Sequence, residues 1–291
     1  MRGRDPDRNS TRFTLVSFHA HPDDEALLTG GTLARAAAEG HRVVLVTATS
    51  GERGLAGAQD GQGEELGRIR VAELRAAAKA LGCARVVSLG YGDSGLRPAE
   101  DDTSAFANVD VESAARRLAD LLSAERADVL TIYDRNGGYG HPDHLQVHRV
   151  GTRAAQLAET PVVLDATVSA GLFRLALRVL RLLGHAVGSS APLGTQQVFS
   201  DRREITHRVR VTGFLRAKRA AMAAHDSQRR AEGQTRVMDY FLRLPLPAFG
   251  IVFGREWFIE HGRTPGRSQG DVFATLRTWP RETGEPQHLS S

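Results

Sequence analysis

The sequence predicts an α/β fold in which a mainly parallel β-sheet lies between two layers of helices. Short apolar runs rich in β-branched residues alternate with segments of helical periodicity from residue 13 to about residue 160. Polar clusters follow the apolar runs, as expected where buried parallel strands end in loops. Of the 291 residues, 41% are hydrophobic, so the chain can bury a sizeable core.

The elements of this predicted fold follow one another in a regular order. Four buried strands are predicted in the runs FTLVSFHA, RVVLVTATSGE, ARVVSLGYGDSG and ADVLTIYD. Ala and Leu at helical spacing predict four intervening or following helices, at residues 25–39, 68–81, 109–124 and 143–157. Gly40 and Gly82 end the first two of these helices. A Gly-rich polar loop is expected between the second strand and the second helix.

The C-terminal half has weaker periodicity and predicts a less regular extension of the sheet. Residues 161–167 suggest a further strand, and residues 213–224 suggest a further helix. Between them, GLFRLALRVLRLLG at 171–184 has its arginines at helical spacing, which predicts an amphipathic packing helix. We therefore expect one domain at residues 13–262. Two polar tails, at residues 1–12 and 263–291, should flank it.

Composition restricts the class of protein. The net charge is +4 and the basic residues are spread along the chain, so we expect no nucleic-acid partner. The one cysteine, Cys83, excludes both a disulfide framework within the chain and a Cys-rich zinc site. No run reaches the ~18 apolar residues of a membrane span, and the polar N-terminus lacks the apolar core of a signal peptide. We therefore expect a cytoplasmic protein with a small-molecule substrate and no stable membrane insertion; a homo-oligomer stays open.

Two clusters that share a His-Pro-Asp pattern follow the first and fourth predicted strands. HAHPDDE contains His21, Asp23 and Asp24, and HPDH contains His141 and His144. Because parallel strands end at the same edge of a sheet, the clusters should converge. Catalytic zinc takes three protein ligands and keeps one position for water. A free carboxylate can then act as general base, and a spare histidine can stabilise an oxyanion. The clusters therefore predict a metal-dependent hydrolase.

These motifs resemble the signature of the PIG-L/LmbE-like deacetylase superfamily. The segments GGYGHPDH and DSG resemble its actinobacterial mycothiol-pathway branch, which holds deacetylases and conjugate amidases. The resemblance covers roughly residues 13–160. It implies a Rossmann-like three-layer sandwich. It also implies a zinc-dependent hydrolase that removes an acyl group, expected to be acetyl, from an N-acyl amino sugar such as an N-acetylglucosaminyl compound.

The resemblance also implies roles for single residues near the metal. His21, Asp24 and His144 match the zinc ligands of the superfamily, and Asp23 matches its general base. His141 matches the residue that steadies the tetrahedral oxyanion or protonates the leaving amine.

Four further residues match positions around the metal and the sugar. Asp143 resembles the partner that orients a site histidine, with a helix-capping role as the alternative. Arg70 and Asp93 match positions that grip sugar hydroxyls, and Tyr139 matches a mobile tyrosine near the scissile amide. A solvated helix face for Arg70 and a turn for Asp93 remain the alternatives.

The sequence leaves two other functions open. One is a zinc amidase that acts on a thiol conjugate of glucosaminyl-inositol, and the other is a sugar-binding protein without catalysis. The metal is also open, since two histidines and one aspartate suit Fe²⁺ or another divalent ion as well as Zn²⁺.

Overall fold

The computed structural model describes four stretches of the chain, residues 12–54, 60–168, 200–230 and 235–278. The amphipathic helix predicted at 171–184 lies outside the described residues, as do residues 1–11 and 279–291 of the two predicted tails.

A seven-stranded sheet runs through the described part in the order β3-β2-β1-β4-β5-β7-β6. Its strands are β1 (Thr14–His19), β2 (Arg42–Thr49), β3 (Arg85–Tyr91), β4 (Val129–Tyr133), β5 (Val162–Thr167), β6 (His207–Arg210) and β7 (Arg255–Glu260). Strands β1 to β5 are parallel to one another, whereas β7 is antiparallel to both β5 and β6. The mainly parallel sheet expected from the sequence is confirmed.

Helices cover both faces of this sheet. They are α1 (Asp24–Leu28), α2 (Gly30–Ala38), α3 (Glu64–Leu81), α4 (Val111–Glu125), α5 (Gly137–Gly140), α6 (Pro142–Leu157), α7 (Leu215–Ala224), α8 (Asp226–Arg230), α9 (Thr235–Arg243), α10 (Leu246–Phe253) and α11 (Ala274–Thr278). Side chains at alternate strand positions enter two apolar clusters. Leu15 and Leu45 pack with α2, α3 and α7, and Val16 and Val44 pack with α4 and α6. Among the helices described, none combines the length and apolar character that crossing a bilayer requires.

Two helices differ from the sequence-based expectation by more than a shift of one or two residues at an end. The helix predicted at 25–39 is divided at Thr29, whose Oγ1 donates to Glu25 O at 3.2 Å and lies 3.1 Å from His19 Nε2. A threonine side chain that competes for backbone partners in this way bends or ends a helix. The helix predicted from residue 68 begins earlier, at Glu64, where two acidic residues in the first turn favour the positive end of the helix dipole.

The segment expected to form a loose C-terminal tail packs on the sheet over its first part. Gln269 forms a bridge with His207 of β6. Val272 and Phe273 are 3% and 1% exposed, and the ring of Phe273 stacks on Phe13 at 5.2 Å. The run VFATL at 272–276 is too short to show a period, so the sequence pattern did not indicate this contact. Within the described residues, the packed body extends to Thr278.

The strand order creates a crevice between the ends of β1 and β4. From β1 the chain crosses to β2 on one side, while β4 lies on the other side. Open α/β sheets bind ligands at such a switch point, outside the carboxyl ends of the strands. The HAHPDDE segment follows β1, and the DRNGGYGHPDH segment follows β4. The fold therefore brings the two motifs to the same crevice.

Candidate metal centre

Three side chains from the ends of β1 and β4 meet around one point. Oδ2 of Asp24 lies 3.4 Å from Nδ1 of His21 and 3.4 Å from Nε2 of His144. Both histidines are buried. Ligand atoms at the usual 2.0–2.1 Å from a tetrahedral zinc ion are about 3.3–3.4 Å from one another. The two distances to Asp24 therefore suit a cation of this size. Among the described residues, the nitrogens of His21, His141 and His144 also lie within ligand spacing of one another.

Contacts on the far side of each ring determine which nitrogen faces this point. His144 Nδ1 donates to Gly137 O at 3.2 Å, and His21 Nε2 donates to Asp143 Oδ2 at 3.0 Å. If both rings are neutral, the other two nitrogens, Nδ1 of His21 and Nε2 of His144, carry no proton, and their lone pairs face the Asp24 carboxylate. Nε2 of His144 is buried and has no hydrogen-bond partner. Three acceptors in this arrangement need a cation between them, so the residues fit a divalent metal ion.

The surrounding charges also favour a cation. Burial alone would lower the pKa of His21, but hydrogen bonds to Asp143, Asp24 and Asp93 raise it well above its usual value. Burial would raise the pKa of Asp24, but His144 and His21 bring it well below the usual range. The site is therefore negative enough to attract positive charge, supplied by a proton or by a metal ion.

Asp143 supports the metal centre from behind. It is fully buried, and its Oδ2 accepts both from His21 Nε2 and from the backbone N–H of Ser94, at 3.0 Å each. Ser94 Oγ donates to Oδ1 of the same carboxylate. The first-turn cap of α6 is His141 rather than Asp143. The geometry therefore favours the orienting role for Asp143 over the capping alternative.

His141 presents a donor to the crevice. Its Nδ1 accepts the backbone N–H of Asp143 at 3.2 Å, so the proton of the neutral ring is on Nε2. Its ring lies 4.7 Å from that of His21 and 5.0 Å from that of His144. Burial and the neighbouring histidines lower the pKa of His141 to about 4. His141 lies within ligand distance of both rings, but this tautomer suits a hydrogen-bond donor and not a metal ligand.

Asp23 contacts Arg70 instead of the two histidines and has an unusual backbone conformation. Its φ of 108° lies in the left-handed region. Glu25 Oε2 accepts its backbone N–H at 2.9 Å, and Arg70 Nη2 donates to its Oδ2 at 3.2 Å and to Pro22 O at 2.6 Å. Burial raises the pKa of Asp23 to about 6, which Arg70 opposes and Asp24 reinforces. The side chain remains 29% exposed, so it is accessible from the crevice.

The three residues that the family resemblance associates with the substrate also border this crevice. Arg70 is 3% exposed, which excludes the solvated helix face. Asp93 Oδ1 lies 3.4 Å from His21 Nε2 and also accepts the N–H of Gly95 at 2.8 Å, so it serves its turn and faces the site. Tyr139 is 41% exposed, with its ring 5.0 Å from that of His144. Their contacts with a sugar stay a prediction.

Some buried neighbours of the site were not indicated by the motifs. The ring of Tyr133 stacks on His144 at 4.1 Å, and its hydroxyl accepts the N–H of Ala20. The fully buried Asp134 accepts the N–H of Gly138 at 3.0 Å, which fixes the loop that carries Tyr139. Asp134 follows β4 directly, so its position after a strand was the one available signal.

A second group with ligand-like spacing lies outside this crevice. It consists of His148, Asp165 and His261. His261 Nε2 donates to Asp165 Oδ1 at 2.7 Å, and His148 Nδ1 donates to Tyr133 O at 3.0 Å. Because these histidine atoms are already hydrogen-bonded, the group is explained as a link between α6, β5 and the end of β7.

Comparisons with known proteins agree on one family. Residues 16–155 match the family PIG-L: GlcNAc-PI de-N-acetylase. A protein of Streptomyces avermitilis named 1D-myo-inositol 2-acetamido-2-deoxy-alpha-D-glucopyranoside deacetylase is 38% identical over 271 residues. The alignment covers 83% of this chain and 90% of that protein.

Solved structures share the fold at lower sequence identity. The N,N'-diacetylchitobiose deacetylase from Pyrococcus horikoshii matches with a TM-score of 0.56 and 20% identity, over 85% of this chain and 83% of that one. The 4-carboxy-2-hydroxymuconate hydratase GalB from Pseudomonas putida matches with a TM-score of 0.56 and 17% identity, over 89% and 100%. Since a deacetylase and a hydratase share this architecture, the fold alone does not decide the reaction.

Proposed function

The chain belongs to the PIG-L (GlcNAc-PI de-N-acetylase) family, and on that basis we propose that it removes the acetyl group from an N-acetylglucosaminyl compound. The proposed substrate is 1D-myo-inositol 2-acetamido-2-deoxy-α-D-glucopyranoside, which the similar Streptomyces protein is named for. One observation carries the proposal. Nε2 of His144, which has no hydrogen-bond partner, and Nδ1 of His21 each lie 3.4 Å from the carboxylate of Asp24, and the next carboxylate in the chain, Asp23, has a pKa that burial raises.

His21, Asp24 and His144 are the proposed ligands of a divalent metal ion, and zinc is the proposed ion. Such an ion would supply Lewis-acid polarisation of the amide carbonyl and a lowered pKa for water. Fe²⁺ is the alternative that this donor set also suits. Metal analysis of anaerobically purified protein distinguishes the two ions.

The chain's own residues carry the proton transfers in this proposal. Asp23 accepts a proton from the water whose oxygen attacks the amide carbon, and a pKa near 6 suits a base that works near neutral pH. As the new carbon–oxygen bond forms, the carbonyl electron pair moves to oxygen, and Nε2–H of His141 donates to that oxyanion. When the carbon–nitrogen bond breaks, Asp23 returns its proton to the amine. The products are acetate and the free amino sugar.

Substrate contacts are proposed for the residues at the rim. Tyr139, exposed above His141 and His144, would contact the acetamido group, and Asp93 would accept from a sugar hydroxyl. Arg70 is proposed to act in two ways, by holding Asp23 and by reaching a hydroxyl at the floor of the crevice. We also place the reaction in the cytoplasm, as the composition suggests; fractionation of cells tests this.

The alternative functions differ in the group released. An amidase for thiol conjugates of glucosaminyl-inositol would use the same metal and base but release a larger acyl group. A sugar-binding protein without catalysis would not require the full set of metal ligands, base and donor. The name of the similar Streptomyces protein favours the acetyl compound, and the full set favours catalysis.

The test is a substrate panel with the purified, zinc-loaded protein. It compares the N-acetylglucosaminyl-inositol, cysteinyl-glucosaminyl conjugates and N-acetylated aminoglycosides, and it measures released acid and free amine. We expect the first compound to have the highest kcat/KM. Equal metal loading without release of acid from any compound would overturn catalysis, and preference for the conjugates would establish the amidase.

A further inference from the structure

We propose that Glu25 and His225 form a buried positioning pair that holds the general base Asp23 in its working backbone conformation. The inference rests on the proposed function, because it concerns the base of that reaction. Neither residue is a proposed metal ligand or substrate contact. The pair joins the motif after β1 to the segment that follows α7.

The contacts form a continuous line from His225 to Asp23. Glu25 is 0% exposed and His225 is 3% exposed. His225 Nε2 donates to Oε1 of Glu25 at 2.7 Å, across 200 positions of sequence. Oε2 of the same carboxylate accepts the backbone N–H of Asp23 at 2.9 Å. Glu25 therefore uses one oxygen to bind the C-terminal half and the other to hold the base.

Asp23 needs such an anchor because its backbone conformation is unfavourable. With φ 108° and ψ −33°, it lies outside the regions that residues with a Cβ ordinarily populate. This conformation turns the chain so that neighbouring carboxylates diverge. Asp24 points to His21 and His144, whereas Asp23 points to Arg70. If the turn relaxed, the two carboxylates could not serve the metal and the proton transfer at once.

Two clamps hold this turn, and both are anchored on α3. Arg70 of α3 donates to Pro22 O on one side of the turn. On the other side, Glu25 accepts from Asp23, and His225 partners Glu25. One helical turn after Arg70, Glu73 accepts from both the N–H and the Oγ of Ser227 at 2.7 Å each, two residues after His225. Helix α3 therefore positions His225 as well as Arg70 relative to the turn at Asp23.

His225 also supplies the hydrogen-bond donor that the buried carboxylate of Glu25 requires. A carboxylate that is fully buried is costly unless it is paired and hydrogen-bonded, and His225 Nε2 is the side-chain donor that reaches it. His225 lies beyond residues 16–155, the part that matches the family. The inference therefore assigns a task in the active site to the less regular C-terminal half.

The test compares substitutions at His225 and Glu25 whose side chains are long enough, or too short, to keep the hydrogen bond between the two residues. His225→Gln keeps an amide donor near the position of Nε2, whereas His225→Asn places its amide near Nδ1 and cannot reach Glu25. Likewise Glu25→Gln keeps the length of the side chain, and Glu25→Asp shortens it. We expect the short variants to lose kcat by ~10–100-fold with KM changed less than about twofold and zinc content unchanged. The long variants should recover most of the activity.

His207→Asn is the matched control. His207 is a buried histidine on β6, with Thr206 Oγ1 2.9 Å from its Nδ1, and it lies outside the crevice. We expect this variant to lose thermal stability while kcat stays within about twofold of the parent. If it lost kcat as much as His225→Asn at a similar unfolding temperature, the effect at His225 would be one of stability, and the proposal would be overturned.

A second readout does not depend on activity. In crystal structures of the Glu25→Asp and His225→Asn variants, φ of Asp23 should change from the left-handed region to a negative value, and its contact with Arg70 should be lost. An unchanged Asp23 in both variants would overturn the positioning role. Failure of the parent protein to deacetylate any compound would overturn the proposed function alone.

Discussion

Asp23 and Asp24 are neighbours in the sequence, yet their carboxylates lie in different electrostatic surroundings. Two histidines keep the pKa of Asp24 well below its usual range despite burial, whereas burial raises the pKa of Asp23 to about 6 although Arg70 opposes it. The first carboxylate is therefore always available as an anion, and the second can exchange a proton near neutral pH. The positive φ of Asp23 separates the two environments.

This separation predicts that Asp23→Asn removes activity without removing the metal. An amide of the same shape keeps the contact with Arg70 but cannot accept a proton, so kcat should fall by ~10²–10⁴-fold. Steady-state kinetics and metal analysis of the same preparation measure the two effects. Asp24→Asn is the contrasting variant, because its loss should appear in metal content. A full-rate Asp23→Asn enzyme would exclude this base.

Close packing explains why α2 carries a glycine at Gly31, next to Gly30. The spacing Gly-x-Gly-x-x-Gly of a dinucleotide loop is absent around Gly30 and Gly31. In the structure, a Cβ on Gly31 would lie 2.5 Å from Cβ of Val211, so the helix approaches the strand-to-helix connection after β6 too closely for any side chain. The backbone N–H of Gly31 also donates to Glu256 Oε1 at 2.8 Å.

This contact predicts that Gly31→Ala destabilises the protein by overpacking. We expect a loss of ~1–3 kcal/mol in the free energy of unfolding, measured by denaturant titration. Gly213→Ala is the matched control, because a Cβ at Gly213 meets no atom within 4 Å. Equal effects of the two substitutions would show that the approach of Val211 is not the cause.

The link between α6 and β5 predicts a pH-dependent contribution to stability. Burial would lower the pKa of His148, but Asp165 raises it; burial would raise the pKa of Asp165, but His148 and His261 lower it. The carboxylate contributes above its unfolded pKa of ~3.9, and its contribution is lost as the pH falls through the folded value. The imidazolium contributes below its unfolded pKa of ~6.5, and its contribution is lost as the pH rises through the folded value.

The ion pair between His148 and Asp165 should therefore contribute most to the free energy of unfolding between about pH 4 and pH 6.5. His148→Asn keeps a neutral donor near Tyr133 O but removes the charge. We expect it to cost about 0.5–1 kcal/mol near pH 5.5 and less near pH 9. Thermal unfolding of parent and variant across this range measures the difference. A cost that is the same at both values would mean that the ion pair adds nothing.

The first 160 residues could be predicted because each strand and helix there has a local pattern. The strands after β5 have none. β6 contains four residues, too few for a period, and β7 buries Glu256 and Glu260 at positions where apolar residues would normally reveal a strand. Glu256 can be buried because Lys218 binds it, and Glu260 because Thr275 donates to it. Such pairs depend on the tertiary structure and leave no signal in a sequence window.

The same reason separates the predictable part of the site from the rest. The clusters HAHPDDE and HPDH are contiguous and follow strands, so the sequence alone predicts that their residues meet at one crevice. The contacts of Arg70 with Asp23, and of His225 with Glu25, join segments that are distant in the chain. A single sequence does not contain the information that these charged residues are buried and paired.

A bound metal ion should stabilise the whole molecule, because it binds only when the ends of β1 and β4 are in place. At a free metal concentration 100 times the dissociation constant, the gain is about 2.7 kcal/mol. Removal of the metal by a chelator should therefore lower the unfolding temperature, and added zinc should restore it. His144→Ala should respond to neither treatment. A chelator effect that persists in His144→Ala would indicate a metal site elsewhere.

The place of β7 between β5 and β6 has a consequence for synthesis on the ribosome. β5 ends at Thr167, but the strand that covers its outer edge begins only at Arg255. β6 emerges earlier, yet it pairs with β7 and not with β5. At ~5–20 residues per second, the edge of β5 waits for its partner for roughly 4–18 seconds. An open strand edge can pair with other nascent chains, so the speed of translation through this region should influence how much of the protein reaches its native state.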